Sequence, residues 1–256
     1  METGAITGYV DVAQIVLYVF WAFFAGLIIY LHREDKREGY PLVSDRSPFI
    51  TVQGWPKVPS PKAFLTQHGP LYAPRVELPE VVNARPTAKW PGAPLEPIGN
   101  PMLAGVGPGA YAQNRADFPD YTFDDNLPKI VPLRSVPEFF LAWEDPAVIG
   151  MPVFGLDGVL AGKVIDAWVD RSEVVIRYVE IQLTGTTHAV LMPMNFLTIK
   201  SKKKQIHTRF ITGAQFADVP VTKDAVTVTF LEEEKIMAYF GAGMLYAKAG
   251  RAEPLL

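Results

Sequence analysis

The chain has 256 residues, a formal charge of −3 and no cysteine. The missing cysteines exclude disulfides, thiolate nucleophiles and Cys-based metal sites. Without a basic excess to neutralise phosphates, nucleic acid is not expected as a partner. His32, His68, His188 and His207 show no HxxxH or HxH spacing, which argues against a His-built metal site.

The first predicted element is Val12–Leu31, VAQIVLYVFWAFFAGLIIYL, where Gln14 is the only strongly polar side chain and nothing is charged. As a helix it would extend about 30 Å, the hydrocarbon thickness of a bilayer. It shows no polar stripe at helical period, so a membrane-spanning helix is expected. A signal peptide fits poorly, because residues 1–11 carry no Lys or Arg and no small-residue cleavage pattern follows. Trp21, mid-span, is suited to packing against a partner helix. Arg33, Lys36 and Arg37 directly follow the span, so the amino terminus is expected outside and residues 32–256 in the cytoplasm.

Residues 32–128 have a different composition. Fourteen of the 23 prolines fall between Pro41 and Pro108, and runs such as WPKVPSPK and RPTAKWPGAPLEPIGNP cannot sustain a helix or a central strand. A free linker would be poor in aromatic and β-branched residues, yet this region carries Trp55, Phe64, Leu71, Tyr72, Val76, Trp90 and Tyr111. We read it as an extended arm whose apolar anchors lie along another protein surface. Proline stiffening lowers the entropy lost on docking.

From Lys129 to Tyr246 short strands dominate: KIVPL (129–133), VPEFFLAW (136–143), a hairpin over 152–170 turning at Asp157-Gly158, EVVIRYVEIQL (173–183), HAVLM (188–192), FLTIK (196–200) and QIHTRFI (205–211). Their short connections predict a small antiparallel barrel or sandwich. Thr229 and Glu232 have capping-box spacing and open a closing helix; Gly241 is placed to stop it. Leu231, Met237, Tyr239 and Phe240 supply its packing residues, and the tail, residues 247–256, is expected to be loosely held.

Phosphate loops fail on inspection. GVLAGKV (158–164) is one residue short of a P-loop and has Val164 where Ser or Thr must hold magnesium, and GVGPGA is a proline-containing loop. No G-x-S-x-G or HExxH occurs. The carboxylates are more informative. Asp170 and Glu173 lie at the turn between two predicted strands, Arg177 and Glu180 follow on opposite faces of the next strand, and Asp117, Asp120, Asp124 and Asp125 form an acidic loop. In an ordinary soluble domain these would be solvated charges. Against membrane-embedded partners, half-buried carboxylates with raised pKa values could pass protons.

In this order the chain resembles the H subunit of the purple-bacterial photosynthetic reaction centre. The resemblance runs nearly end to end, through FWAFFAGLIIYL and REDKREGYPL, GNPMLAGVGPGAYA, PKIVPL, AGKVIDAWVDRSE, RYVEIQL, LMPMNF, QFADVP and LEEEKIMAYFGAGMLYA. It implies one amino-terminal transmembrane α-helix (amino terminus periplasmic) in the bacterial photosynthetic membrane. A mainly β cytoplasmic domain would follow, a small PRC-type barrel with a carboxy-terminal helix. The implied function is that of a subunit without catalytic site or pigment, capping the L and M subunits and their quinone sites and carrying protons to the secondary quinone.

Bacteriochlorophyll, bacteriopheophytin, quinones and non-haem iron are then expected in the partner subunits. Membrane lipids are expected neighbours, and a cytochrome subunit and a light-harvesting antenna are compatible with the assembly. Family proton-path residues carry over to Asp170 and Glu173, with Arg177 and Glu180 as neighbours. Some family members have zinc-binding surface histidines before the PKIVPL-like strand. Here YTFDDNLPKI places Asp124 and Asp125 there, so proton uptake would rely on carboxylates. Two other readings compete. One is a membrane-tethered PRC-barrel scaffold recruiting a soluble partner; the other, a membrane-anchored hydrolase, lacks a nucleophile or metal set.

Overall fold

The computed structural model describes residues 4–7, 10–40, 54–67, 69–74, 81–90 and 92–251. His68, Val76 and residues 252–256 lie outside them. The chain forms two compact units, Met1–Pro79 and Glu80–Leu256.

The first unit contains α1 (Val12–Arg37), one helix long and apolar enough to cross a membrane. Gln14, the polar exception in the apolar run, has a local role. Asp11 Oδ1 accepts from the Gln14 N–H at 2.7 Å and the Gln14 side chain reaches back to the Asp11 N–H, a capping box that satisfies orphan amides at the helix start. The helix continues six residues past Leu31. Lys36 and Arg37 in its last turn suit the negative end of the helix dipole. The arm contributes a hairpin to this unit, β1 (Lys62–Thr66) with β2 (Gly69–Ala73).

The second unit begins with a peripheral pair, β3 (Ala84–Pro86) and β4 (Leu95–Pro97), consistent with the exclusion of this proline-rich stretch from any central strand. The main sheet follows: β5 (Ile130–Pro132), β6 (Pro152–Phe154), β7 (Leu160–Asp170), β8 (Val175–Leu183), β9 (Ala189–Pro193), β10 (Thr198–Lys200) and β11 (Gln205–His207). Its order is β10-β11-β6-β7-β8-β9, with β5 on β7. The pairings are antiparallel, as expected, except for the parallel pair β11–β6.

VPEFFLAW forms no strand. Pro137 cannot donate to a ladder, and Phe140 and Trp143 are 82% and 88% exposed. In the β6–β7 turn only Gly158 has positive φ, so this is a longer connection than a two-residue type I′ turn. The Asp157 carboxylate accepts there from Val159 N and Gly213 N. Gly162, in the rejected phosphate-loop motif, lies inside β7. A Cβ there would meet the Gln182 carbonyl at 2.2 Å.

Helix α2 (Phe230–Tyr246) starts at the expected capping box: Glu232 N donates to Thr229 Oγ1, and Thr229 N donates to Glu232 Oε2. Ile236, Tyr239 and Phe240 enter the core with Trp168, Ile181, Met192 and Phe216. Gly241 does not stop the helix. A Cβ on Gly241 would sit 3.2 Å from the Pro108 carbonyl, and one on Gly243 would sit 2.3 Å from that of Phe210. These glycines admit the GVGPGA loop and the Phe210 segment to the helix surface. The tail is also held to Arg251, whose guanidinium donates to the carbonyls of Gly243 and Arg209.

Candidate functional site

Strand β7 ends at Asp170 and β8 begins at Val175, joined by the turn Arg171–Val174. Asp170 is 1% exposed. Its Oδ1 accepts from the N–H groups of Ser172 and Glu173, both at 3.0 Å, so the carboxylate shapes the turn that carries its neighbour. Its Oδ2 accepts from Arg177 Nη2 at 3.2 Å and lies 3.6 Å from Lys129 Nζ. The same Arg177 Nη2 donates to Glu173 Oε2 at 2.5 Å. Arg177 falls at the register shift of β8 between Ile176 and Tyr178, two residues in from Val175, and its guanidinium reaches both acids. Val174 closes the turn at φ +53°, a conformation that costs a β-branched residue about 1–2 kcal/mol.

Asp170 and Arg177 line a cleft of about 700 Å³. Ile130, Ile176, Met194 and Met237 give it apolar walls. Its charged rim holds Asp120, Asp170, Glu233 and Glu234 against Arg115, Lys129 and Arg177. Lys129 Nζ stands between Asp120 Oδ2 at 3.7 Å and Asp170 Oδ2 at 3.6 Å.

Glu233, from the first turn of α2, was not a sequence candidate. Tyr178 OH donates to its Oε2 at 2.7 Å. Burial pushes the Glu233 carboxyl above the usual range. The Tyr178 hydrogen bond and the Arg177 charge pull it back only in part, while Asp120 and Asp170 add to the rise. Burial and the Glu233 charge also push the Tyr178 phenol upward, so it stays a neutral donor.

The LEEEK motif sends its three glutamates in three directions, because successive helical residues are about 100° apart. Glu232 caps the helix and accepts from Lys223 N, Glu233 enters the cleft, and Glu234 lies 3.5 Å from Arg115. A run of acids at a helix start was legible as dipole-favourable charge. Which one a facing strand would bury was not.

The acidic loop is dispersed. Asp117 accepts from Thr229 Oγ1 and pairs with Lys223, whose hydrogen bond holds its carboxyl below the ordinary range. Asp120 faces the cleft. Asp125 pairs with Arg171 and Thr122, which with the Leu127 amide keep it strongly depressed. Asp124 is exposed and joins no ion pair among the described residues.

Glu180 stands apart from Asp170. It lies opposite Asp166 in the β7–β8 register, and Arg134 Nη1 donates to Asp166 Oδ2 at 2.8 Å and to Glu180 Oε2 at 2.5 Å. Trp168 Nε1 donates to the same Glu180 oxygen at 3.0 Å, Ala167 N to Asp166 Oδ1 at 2.8 Å, and Arg134 Nη2 to the Ala225 carbonyl. The donors are spent on fixing β7, β8 and the 224–228 loop together. Among the described residues no group of three His, Asp or Glu side chains could hold a metal ion.

A family model described as photosynthetic reaction centre, H-chain N-terminal region, matches residues 4–135. A PRC-barrel domain model matches residues 144–215, from just before β6 through β11.

Proposed function

The chain belongs to the photosynthetic reaction centre H-chain family, and from that premise we propose that it caps the cytoplasmic face of the L and M subunits, steadies their quinone sites and conducts protons to the secondary quinone. Family membership implies association with other reaction centre subunits. The charge asymmetry around α1 supports an amino terminus on the periplasmic side and both units beyond the span in the cytoplasm. In this reading the chain itself has no catalytic site, and the electron-carrying cofactors reside in its partners.

The observation that carries proton conduction is the meeting of Asp170, Arg177 and Glu233 around one open cleft, with Glu173 joined to it through the Arg177 guanidinium. Arg177 holds the two turn carboxylates at one guanidinium, so a proton arriving at exposed Glu173 changes the charge felt at Asp170. Glu233, with its raised pKa, is the member best suited to hold a proton, and Tyr178 orients its carboxyl group. Exposed Asp124 and cleft-facing Asp120 collect protons at the surface. Asp125, locked to Arg171, contributes a fixed negative charge. Glu180 belongs to the barrel's internal brace. The tethered-scaffold alternative accounts for the barrel alone, whereas the match over residues 4–135 covers the helix and the arm as well.

Flash-induced quinone reduction in the assembled complex tests this reading. Asp170→Asn, Glu173→Gln and the double variant should slow the second, proton-coupled turnover by about tenfold or more, with the first electron transfer unchanged. Wild-type second-turnover kinetics in all three would remove the relay.

A further inference from the structure

We propose that Arg171 is a positioning residue that latches the loop 121–128 onto the Asp170–Glu173 turn, so that the carboxylates gathering protons and those relaying them are held as one piece. The proposal deepens the proton-conduction reading and rests on it.

The latch starts from a fixed base. Asp170 Oδ1 pins the amides of Ser172 and Glu173, and the Arg171 N–H donates to the Lys129 carbonyl at 2.9 Å, one step beyond the β5–β7 ladder. From there the Arg171 side chain, 14% exposed, runs to the loop. Its Nη1 donates to Asp125 Oδ1 and to the Pro128 carbonyl, both at 3.3 Å, and its Nη2 donates to Asp125 Oδ2. One guanidinium thus joins two points of the loop to the turn, with the forked geometry that makes arginine–carboxylate pairs directional. An isolated exposed ion pair would hold little. This one is bidentate, its arginine stem is packed, and a backbone carbonyl shares the guanidinium.

The loop needs such a tie. The Lys129 N–H donates to the Asp120 carbonyl, Tyr121 bridges Pro128, and the Thr122 N–H donates to the Leu127 carbonyl, so its base is a narrow hairpin. Toward the tip, the remaining partners of Asp125, Thr122 Oγ1 and Leu127 N, belong to the loop itself. They shape the tip without placing it, and Phe123 beside them is fully exposed. The loop is flanked by Asp120, which faces the cleft, and carries exposed Asp124 near its tip. Arg171 therefore sets how near the Asp124 charge stays to Glu173 and Asp170, and attraction for an arriving proton falls with distance. Besides Asp125, the charge of Glu138 in the segment after β5 acts on Arg171, while Lys129 and Arg177 face Asp170 from the other side of the turn. The Asp125 carboxyl is held far below the ordinary range, by Arg171 first, so the latch stays closed across neutral pH.

Second-turnover kinetics and loop mobility, both in the assembled complex, test the latch together. Arg171→Lys keeps the charge and loses the fork, and Asp125→Asn breaks the same pair from the loop side. Phe123→Cys, unique in this chain because it has no native cysteine, carries a nitroxide whose spectrum reads nanosecond motion. The unsubstituted complex, treated identically, gives the background. Both variants should make the label more mobile. Both should also slow the second turnover by about threefold to tenfold at alkaline pH, and less as protons become abundant, with the first electron transfer unchanged. Azide, whose small conjugate acid carries protons past the loop, should restore the rate. Wild-type label mobility in both variants, wild-type turnover with a mobile label, or slowing that azide leaves untouched would each overturn the proposal. The double variant Asp170→Asn with Glu173→Gln is measured alongside. If it turns over at the wild-type rate, the relay reading itself fails; if it is slow while Arg171→Lys and Asp125→Asn are not, the latch alone fails.

Discussion

Two arginine–carboxylate networks lie on the same pair of strands, and they differ in what surrounds them. Arg134 joins Asp166 to Glu180 where both acids are nearly buried, and the Trp168 indole, a backbone amide and the Ala225 carbonyl complete the set. Arg177 joins Asp170 to Glu173 where one acid is buried and the other is 54% exposed at its side chain, beside a cleft that holds Glu233 in addition. The same residue types thus make a brace in one place and a chargeable surface in the other. A closed donor set spends its hydrogen bonds on holding strands and loop together. The open one gathers four carboxylates against three cations around a cleft.

Removing each arginine should separate the two most strongly. Arg134→Met leaves Asp166 and Glu180 as two nearly buried charges without a counter-ion. It should destabilise the barrel by about 2–3 kcal/mol, below the full buried-pair penalty because the Arg134 side chain is 41% exposed. Arg177→Met should cost less than about 1 kcal/mol, since Asp170 keeps Lys129 and two backbone amides. Urea denaturation of both variants measures the difference; equal losses would erase the distinction between brace and cleft.

The pH dependence of stability should have opposite signs at different carboxyls. Glu233 titrates higher when folded than unfolded, so the stability it contributes is present below the unfolded pKa and lost as pH rises through the folded one. Glu233→Gln should flatten that decline and raise the melting temperature at neutral relative to acidic pH. Asp117, held low first by Lys223, contributes stability above its unfolded pKa that is lost as pH falls through the folded one. Asp117→Asn should therefore blunt acid unfolding. Thermal melts across pH distinguish the two slopes.

The smallest effect concerns the turn that carries the cleft acids. Val174 at φ +53° should be relieved by Val174→Gly, stabilising by about 1 kcal/mol. Equilibrium unfolding checks this, and a loss of stability would show that the Val174 side chain matters more than its backbone.

Much of the fold was readable because its signals are local. Thr229 with Glu232, the apolar run of α1 and the β7–β8 hairpin each declare themselves within a few residues. Gly241 misled for the same reason: glycine near a helix end suggests a stop, whereas its role is set by Pro108, far away in sequence. VPEFFLAW has a strand's composition, but Phe140 and Trp143 point to solvent. At the site, Asp170 and Glu173 were legible together because they share one turn, whereas Arg177 came in as their neighbour through the family resemblance. The separation of Glu180 was half legible, since alternation places it on the face opposite Arg177 but cannot name Arg134 as its partner. Glu233 was invisible as a proton site because its shift comes from burial against Tyr178, 55 residues earlier.

The most direct test of the contrast between cleft and brace is an infrared pH titration of carboxyl bands in the intact complex, comparing wild type with Glu233→Gln and Glu180→Gln. A carboxyl band titrating above the ordinary glutamate range should vanish in Glu233→Gln and persist in Glu180→Gln. Its persistence in Glu233→Gln, or its loss in Glu180→Gln, would contradict the assignment of proton-holding chemistry to the cleft.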